Sequence, residues 1–456
     1  MGKARTRFGL RVLSGLGIIL ALASAAPAAA QVLGGLPVGG GLGQALPALP
    51  DLRRPLDEVG RAPGAAEGLA RSALTDLRQA AARRLVREHR DLVDVDDRGE
   101  PVVRGEVSLL APSPENLAAA QQAGFAVLRD ETEAELGLRI VTLAPPRGLS
   151  VRDAVRRLRR LDPAGQYDFN HIYLPSGAGL ASLAPVAEIA TSAAAGRGVR
   201  IGMVDGGVAA HPSLVGAAIE QRGFAPGGVK PTAHGLAVAS LLAGRDGGFR
   251  GAAPGAHLLV ADVYGVSPTG GSALLIAQAL GWLVQARTPV ISISLVGPSD
   301  NVLKAAVQAL LARGVLLVAP VGNDGPAAPP LYPASYPGVV SVTGIDARRR
   351  VLPEAGRGSH VDFAAPGADM VGAAPGGGYA PLRGTSFAAP LVAGRLAQLG
   401  GPAPDPASAA RAVAALAGEA VDLGAPGPDP VYGRGLVAFD LRTAPEALHA
   451  GHPPRH

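Results

Sequence analysis

From residue 199 onward the chain alternates short, wholly apolar runs with longer stretches in which apolar positions recur every third or fourth residue. The short runs predict strands over 199–205, 257–263, 289–295, 314–321 and 339–345, and the longer stretches predict helices over 234–243, 272–286, 302–313, 387–399 and 407–417. Strands that are apolar on both faces must be covered on both faces. The alternation therefore predicts an α/β fold, a doubly wound parallel sheet whose functional groups collect at the carboxyl ends of its strands.

Upstream the pattern changes. A strand over 102–110 precedes a helix that starts at Ser113-Pro114 and runs to 124, and strand-like pieces follow at 126–129 and 138–143. A second helix starts at Ser150, with Asp153 three residues on as in a capping box, and carries Val151, Val155, Leu158 and Leu161 on one face. The last strand, 167–173, alternates aromatic and polar residues. Strand, helix, strand, strand, helix, strand predicts a smaller ferredoxin-like α+β domain ahead of the large sheet. Residues 65–93 read as a packing helix, with Leu74, Leu77, Ala81 and Leu85 along one side. The chain thus divides into a segment 1–30, a Gly/Pro-rich linker 31–64, a helical segment 65–100, the small domain 101–177, a small-residue linker 178–197, the α/β domain 198–441 and a flexible tail 442–456.

The first 30 residues carry Lys3, Arg5, Arg7 and Arg11, then an apolar run over 12–25, then Ala28-Ala29-Ala30 before Gln31. That layout is a secretory signal peptide, with an apolar run too short for a comfortable membrane span. Export to the periplasm or the exterior is expected, with no membrane anchor after its removal. The chain has no cysteine, hence neither a disulfide framework nor a lipid-attachment site. Removing the four basic residues of the segment takes the net charge from +5 to about +1, so no nucleic-acid partner is expected.

The chemistry gathers in four places. Gly384-Thr385-Ser386-Phe387-Ala388-Ala389-Pro390 delivers a hydroxyl to the start of an apolar helix, whose first N–H groups and dipole suit a developing oxyanion. Alone, this stretch reads more readily as a plain N-cap. The apolar strand ending at Asp205 and the helix opening at His234 supply an acid and a base, and the strand before Asn323 ends in an amide that suits an oxyanion. Each has a plain alternative as a cap or turn residue. Together they stand in the order Asp, His, Ser, 29 and 152 residues apart, which is one of the known chain orders of a catalytic triad. The chain has no Gly-x-Ser-x-Gly elbow, which argues against a lipase or esterase.

These segments resemble the subtilisin-like serine peptidases. The likeness lies in 384–390, in 318–325 and in Tyr332-Pro333-Ala334-Ser335-Tyr336-Pro337-Gly338-Val339-Val340, within a span of about 198–441. It implies a serine endopeptidase acting on protein or peptide substrates, with Ser386 as nucleophile, His234 as base and then acid, Asp205 as orienter, and Asn323 with the Ser386 backbone N–H as oxyanion hole. Ser294, Leu295, Val296 and Gly297 resemble the family's substrate-pairing edge strand, with Val296 where glycine is common. The domain 101–177 resembles the family's inhibitory propeptide, a partner within the same chain, whose tail at 173–177 would enter the cleft and be cut off by the enzyme itself. The chemistry implies no cofactor and no metal ligand is assigned; the calcium that the family often binds stays open. Asp246, Asp300 and Asp362 show no ligand motif, and His449, His452 and His456 read as a solvated tail. Two departures, Gly206 where the family has Ser or Thr and Leu236 where it has Thr, keep a second reading open: a weak or inactive exported peptide-binding protein on the same scaffold.

Overall fold

A computed structural model describes residues 80–176, 198–400 and 404–449. The expected signal segment, the 31–64 linker, most of the 65–93 helix, the 178–197 linker, His452 and His456 lie outside the described residues.

Seven parallel strands form the large sheet: β7 (Arg200–Asp205), β8 (Ala218–Gly223), β11 (His257–Asp262), β12 (Val290–Ile293), β14 (Leu316–Pro320), β15 (Val340–Ile345) and β16 (Phe363–Pro366), in the order β16-β15-β14-β12-β7-β11-β8. β9 (Arg245–Asp246) and β10 (Phe249–Arg250) form a separate hairpin. The chain crosses over β7 in passing from β11 to β12, so the carboxyl end of β7 lies at a switch point of the sheet. Side chains alternate between two cores. Ile201, Met203, Leu258, Val260 and Val318 meet helices α3 (Ala233–Ala243), α6 (Thr385–Leu399) and α7 (Pro406–Glu419). Val204, Leu259, Ala261, Leu317 and Ala319 meet α4 (Ala273–Gln285) and α5 (Asn301–Ala312) on the other face.

All five expected strands are present, and the sheet has two more. β8 is an edge strand with only alternate positions covered, and β16 is a four-residue Phe-Ala-Ala-Pro run of low strand propensity that is buried by its surroundings. The expected strand 289–295 divides at Ser294: β12 stays in the sheet, while β13 (Leu295–Val296) pairs elsewhere.

The smaller domain follows the order β2 (Pro101–Leu110), α1 (Pro114–Gln122), β3 (Ala126–Glu133), β4 (Leu138–Ala144), α2 (Val151–Leu161), β5 (Gln166–His171). Its strands are antiparallel, with β2 between β5 and β4 and with β3 outside β4. Both helices cover one face of this sheet. Leu110 and Ile140, from the second face, and Leu136, from the β3–β4 turn, instead join the core that contains α4 and α5. The 65–93 helix is corrected here: helical residues end at 88, and β1 (Val93–Val95) pairs with β2, because Val-Asp-Val alternates with the period of a strand. After β5 comes a two-residue strand, β6 (Leu174–Pro175).

The expected flexible tail is also corrected. Val371 N–H donates to the Thr443 carbonyl at 3.0 Å, and Pro445–His449 forms a short helix, α8. Among the described residues no helix is long and apolar enough to cross a membrane.

One close approach positions the site. A Cβ on Gly235, in the first turn of α3, would lie 2.5 Å from the Gly206 carbonyl oxygen and 2.6 Å from that of Gly207. Only glycine lets α3 meet the turn after β7 this closely.

Candidate active site

That approach brings His234 onto Asp205. The imidazole Nδ1 lies 3.0 and 2.9 Å from the two carboxylate oxygens, and both side chains are wholly excluded from solvent. Gly206 N–H donates to Asp205 Oδ1 at 2.7 Å. A carboxylate only accepts, so Nδ1 carries the proton and Nε2 is left as an acceptor. Thr232 holds the start of α3, its Oγ1 accepting from Gly235 N–H at 2.9 Å.

Ser386 comes from α6. Gly384 precedes this helix with φ 139°, a conformation that L side chains rarely adopt, and so turns the chain sharply before Thr385 and Ser386. Four residues after Ser386 stands Pro390, which has no N–H to offer the Ser386 carbonyl. Ser294 Oγ donates to that carbonyl instead, at 3.2 Å. The ring of Phe387, next to Ser386, lies 5.2 Å from that of His234. Ser386 Oγ and His234 Nε2 are both buried, and neither has a hydrogen-bond partner among the described residues. A buried polar atom left unmatched costs about 1–3 kcal/mol, so this spot is not arranged for stability.

Asn323 follows β14. Its Oδ1 accepts from Thr385 N–H at 3.0 Å, which turns its Nδ2 outward as a donor. Nδ2 donates to Ser176 Oγ at 2.9 Å, and Ser176 Oγ lies 3.1 Å from Thr385 Oγ1. Thr385 is a contributor that reading the sequence treated only as part of a turn.

The four edge-strand residues separate by role. Leu295 and Val296 pair antiparallel with Pro175 and Leu174, and the Ser294 carbonyl accepts from Ser176 N–H at 3.1 Å. Gly297 exchanges backbone hydrogen bonds with Tyr332 at 3.0 and 2.9 Å, and its missing side chain leaves room for the ring of Tyr173.

The two departures have physical reasons. A Cβ on Gly206 would lie 2.5 Å from Thr232 Oγ1 and 2.6 Å from Thr232 Cγ2, so Thr232 already fills the space of a larger residue. Leu236 is fully buried in the core with Ile201 and Met203. The acidic residues weighed for calcium are engaged by protein groups: Asp246 accepts from Tyr379, Asp362 from Ser341, and Asp300 from the first turn of α5 while pairing with His171.

Residues 196–435 match the model of the Subtilase family, more than half of the 456-residue chain. The major intracellular serine protease of Bacillus subtilis (strain 168) is 33% identical over 217 residues, which cover 44% of this chain and 68% of that protein. Subtilisin Savinase of Lederbergia lenta is 37% identical over 213 residues, 44% of this chain and 76% of that protein. Among solved structures, fervidolysin from Fervidobacterium pennivorans, a keratinolytic enzyme related to subtilisin, aligns with a TM-score of 0.60 at 20% identity over 79% of this chain and 64% of its own. At that identity the likeness speaks for the fold alone.

The contact between residues 206 and 232 predicts a coupling. Gly206→Ser should lower stability by about 1–3 kcal/mol through overpacking. On a Thr232→Ala background the same change should cost clearly less, because the obstructing side chain is gone. Urea unfolding of the four proteins measures this, and equal costs on both backgrounds would show that the two positions do not compete for space.

Proposed function

This chain belongs to the subtilase family of serine endopeptidases, and on that premise we propose that it cuts peptide bonds with Ser386, His234 and Asp205. The supporting observation is the buried Asp205–His234 pair, which leaves an acceptor nitrogen and a serine hydroxyl unmatched beside the oxyanion-type donors of Asn323 and α6. His234 Nε2 removes the proton of Ser386 as its oxygen attacks the substrate carbonyl carbon. Asp205 accepts from Nδ1–H, fixing the ring and stabilising the imidazolium. Asn323 Nδ2 and the Ser386 backbone N–H hold the tetrahedral oxyanion, the side chain contributing about 3–4 kcal/mol. His234 then protonates the leaving amine, and water repeats the sequence on the acyl-enzyme. These side chains supply the chemistry without a cofactor. Extended substrates add to β13 as Leu174 and Pro175 do.

The domain 101–177 is proposed as an intramolecular inhibitor of a self-processing zymogen, and residues 1–30 as an export signal. Besides the packing of Leu110, Leu136 and Ile140, the inhibitor reading rests on a buried ionic contact. His171 Nδ1 lies 2.9 Å from Asp300 Oδ2 and Nε2 lies 3.4 Å from Asp96 Oδ2, while Asp168 accepts from Asn301 N–H at the start of α5. Burial lowers the basicity of His171, but hydrogen bonds to Asp300 and Asp96 outweigh it and push the pKa up to about 10. Burial, and then Asp300, raise that of Asp168.

Ser386→Ala should lower peptide hydrolysis by at least ~10³-fold and abolish fluorophosphonate labelling, with unchanged circular dichroism. Wild-type turnover in that variant would remove Ser386 from the chemistry. Asn323→Ala should reduce kcat by ~10²–10³ with little change in KM, since its amide meets charge present only in the transition state; a pure KM effect would make it a substrate-binding residue. For His171, a raised pKa gives a contribution complete below about 6.5 and lost as pH rises through about 10. The melting temperature of the full-length Ser386→Ala chain should therefore fall over this window more steeply than that of the Ser386→Ala/His171→Gln chain. Equal slopes would show that His171 does not hold the domain.

A further inference from the structure

The turns that carry Asn323 and Ser386 are both built on glycine. Gly322 and Gly325 flank Asn323 with φ of 95° and 92°, and Gly384 opens the turn before Ser386 with φ 139°. A third segment, 354–356, ties the two together. Its backbone grips the first turn on both sides of Asn323: Gly325 N–H donates to the Glu354 carbonyl at 2.8 Å, and Gly356 N–H to the Gly322 carbonyl at 3.0 Å. The Glu354 side chain reaches the second turn. Arg383 Nη2 donates to Glu354 Oε2 at 2.9 Å, and Arg383 Nε lies 2.7 Å from Oε1.

This pair lies largely out of water, with side-chain exposures of 7% for Glu354 and 22% for Arg383. Ion pairs withdrawn from water often contribute no more to stability than an apolar pair of the same size, so its place here calls for another reason. The geometry supplies one. Asn323 Oδ1 accepts from Thr385 N–H, a single hydrogen bond about which the amide can pivot. The two-pronged Arg383–Glu354 contact is a second and directional tie between the same two turns, and it closes the circuit 354 to 325, 323 to 385, 383 to 354. Neither residue hydrogen-bonds to Ser386 Oγ or His234 Nε2.

Resting on the peptidase reading above, we propose that Arg383 and Glu354 are positioning residues that hold the Asn323 amide and the Ser386 backbone N–H at the separation a tetrahedral oxyanion requires. They make no bond to substrate. Their effect is felt in the transition state, where the two donors must act on one oxygen.

The test measures kcat and KM on a fluorogenic peptide amide that the wild-type protein cuts, per active site counted by fluorophosphonate labelling. Glu354→Gln keeps the size of the side chain and removes its charge. It should lower kcat about 10-fold and change KM by less than about 2-fold, since a displaced donor forfeits part of what its removal would cost. On an Asn323→Ala background the same change should lower kcat by less than about 2-fold, because the donor it displaces is already gone. Arg383→Lys keeps the charge but not the fork, so its loss should be smaller and should likewise vanish on the Asn323→Ala background. It takes the place of Glu354→Gln if circular dichroism shows that variant unfolded. Equal losses on both backgrounds, a change in KM alone or an unchanged kcat overturns this inference and leaves the peptidase reading standing. A wild-type protein that neither labels nor hydrolyses peptides overturns both.

Discussion

A carboxylate and an imidazole shut away from water, Asp205 against His234, set the constraint around which the large domain is arranged. A buried charge without its partner costs several kcal/mol, so neither residue is tolerable unless the other arrives in the correct place. β7 must end at Asp205, α3 must begin beside it, and the backbone of Gly235 must come within van der Waals contact of the turn at 206–207. Thr232 serves twice, capping α3 and filling the space over Gly206. The same contact fixes the imidazole tautomer and leaves Nε2 as an acceptor.

Around Ser386 the helix departs from regularity in ways that other elements repair. Gly384 turns the chain, Pro390 removes a helical donor, and Ser294, at the point where the chain leaves the sheet, supplies the replacement. Asn323 takes one helical N–H through its oxygen and so presents its amide hydrogens outward. The groups that remain unmatched, Ser386 Oγ and His234 Nε2, carry a stability cost.

Contact between the two domains is made at three levels that reinforce one another. Leu110 and Ile140 from the sheet and Leu136 from the β3–β4 turn join the core of α4 and α5. Asp300 caps α5 from within while binding His171, and Asp168 meets the Asn301 N–H at that same helix end. Leu174 and Pro175 then pair with β13, and Ser176 Oγ meets Asn323 and Thr385 beside Ser386. Helix capping and ion pairing thus share Asp300, so loosening one weakens the other.

What could be read from the sequence was local. The apolar periodicity located five strands and the helices between them, and the order of Asp205, His234, Asn323 and Ser386 along the chain pointed to one region, because each sits where a strand ends or a helix begins. Non-local features were hidden. β8 and β16 became strands only through their neighbours, since a half-polar edge and an Ala-Ala-Pro run carry little strand signal of their own. The ends of the chain's segments also misled: Val93 left the expected helix for a strand, and Thr443 binds the Val371 N–H where a free tail was expected. Gly206 looked like a loss until Thr232, 26 residues away, proved to fill its space. Likewise, the sequence placed Ser294–Gly297 on one edge strand, but only tertiary structure divided them among a carbonyl acceptor, a two-residue ladder and a gap for an aromatic ring. Periodicity and capping act over a few residues and are written in order along the chain, whereas side-chain pairing at the sheet's carboxyl edge depends on segments separated by up to 209 residues, as Ser176 and Thr385 are, and is decided only when the sheet closes up.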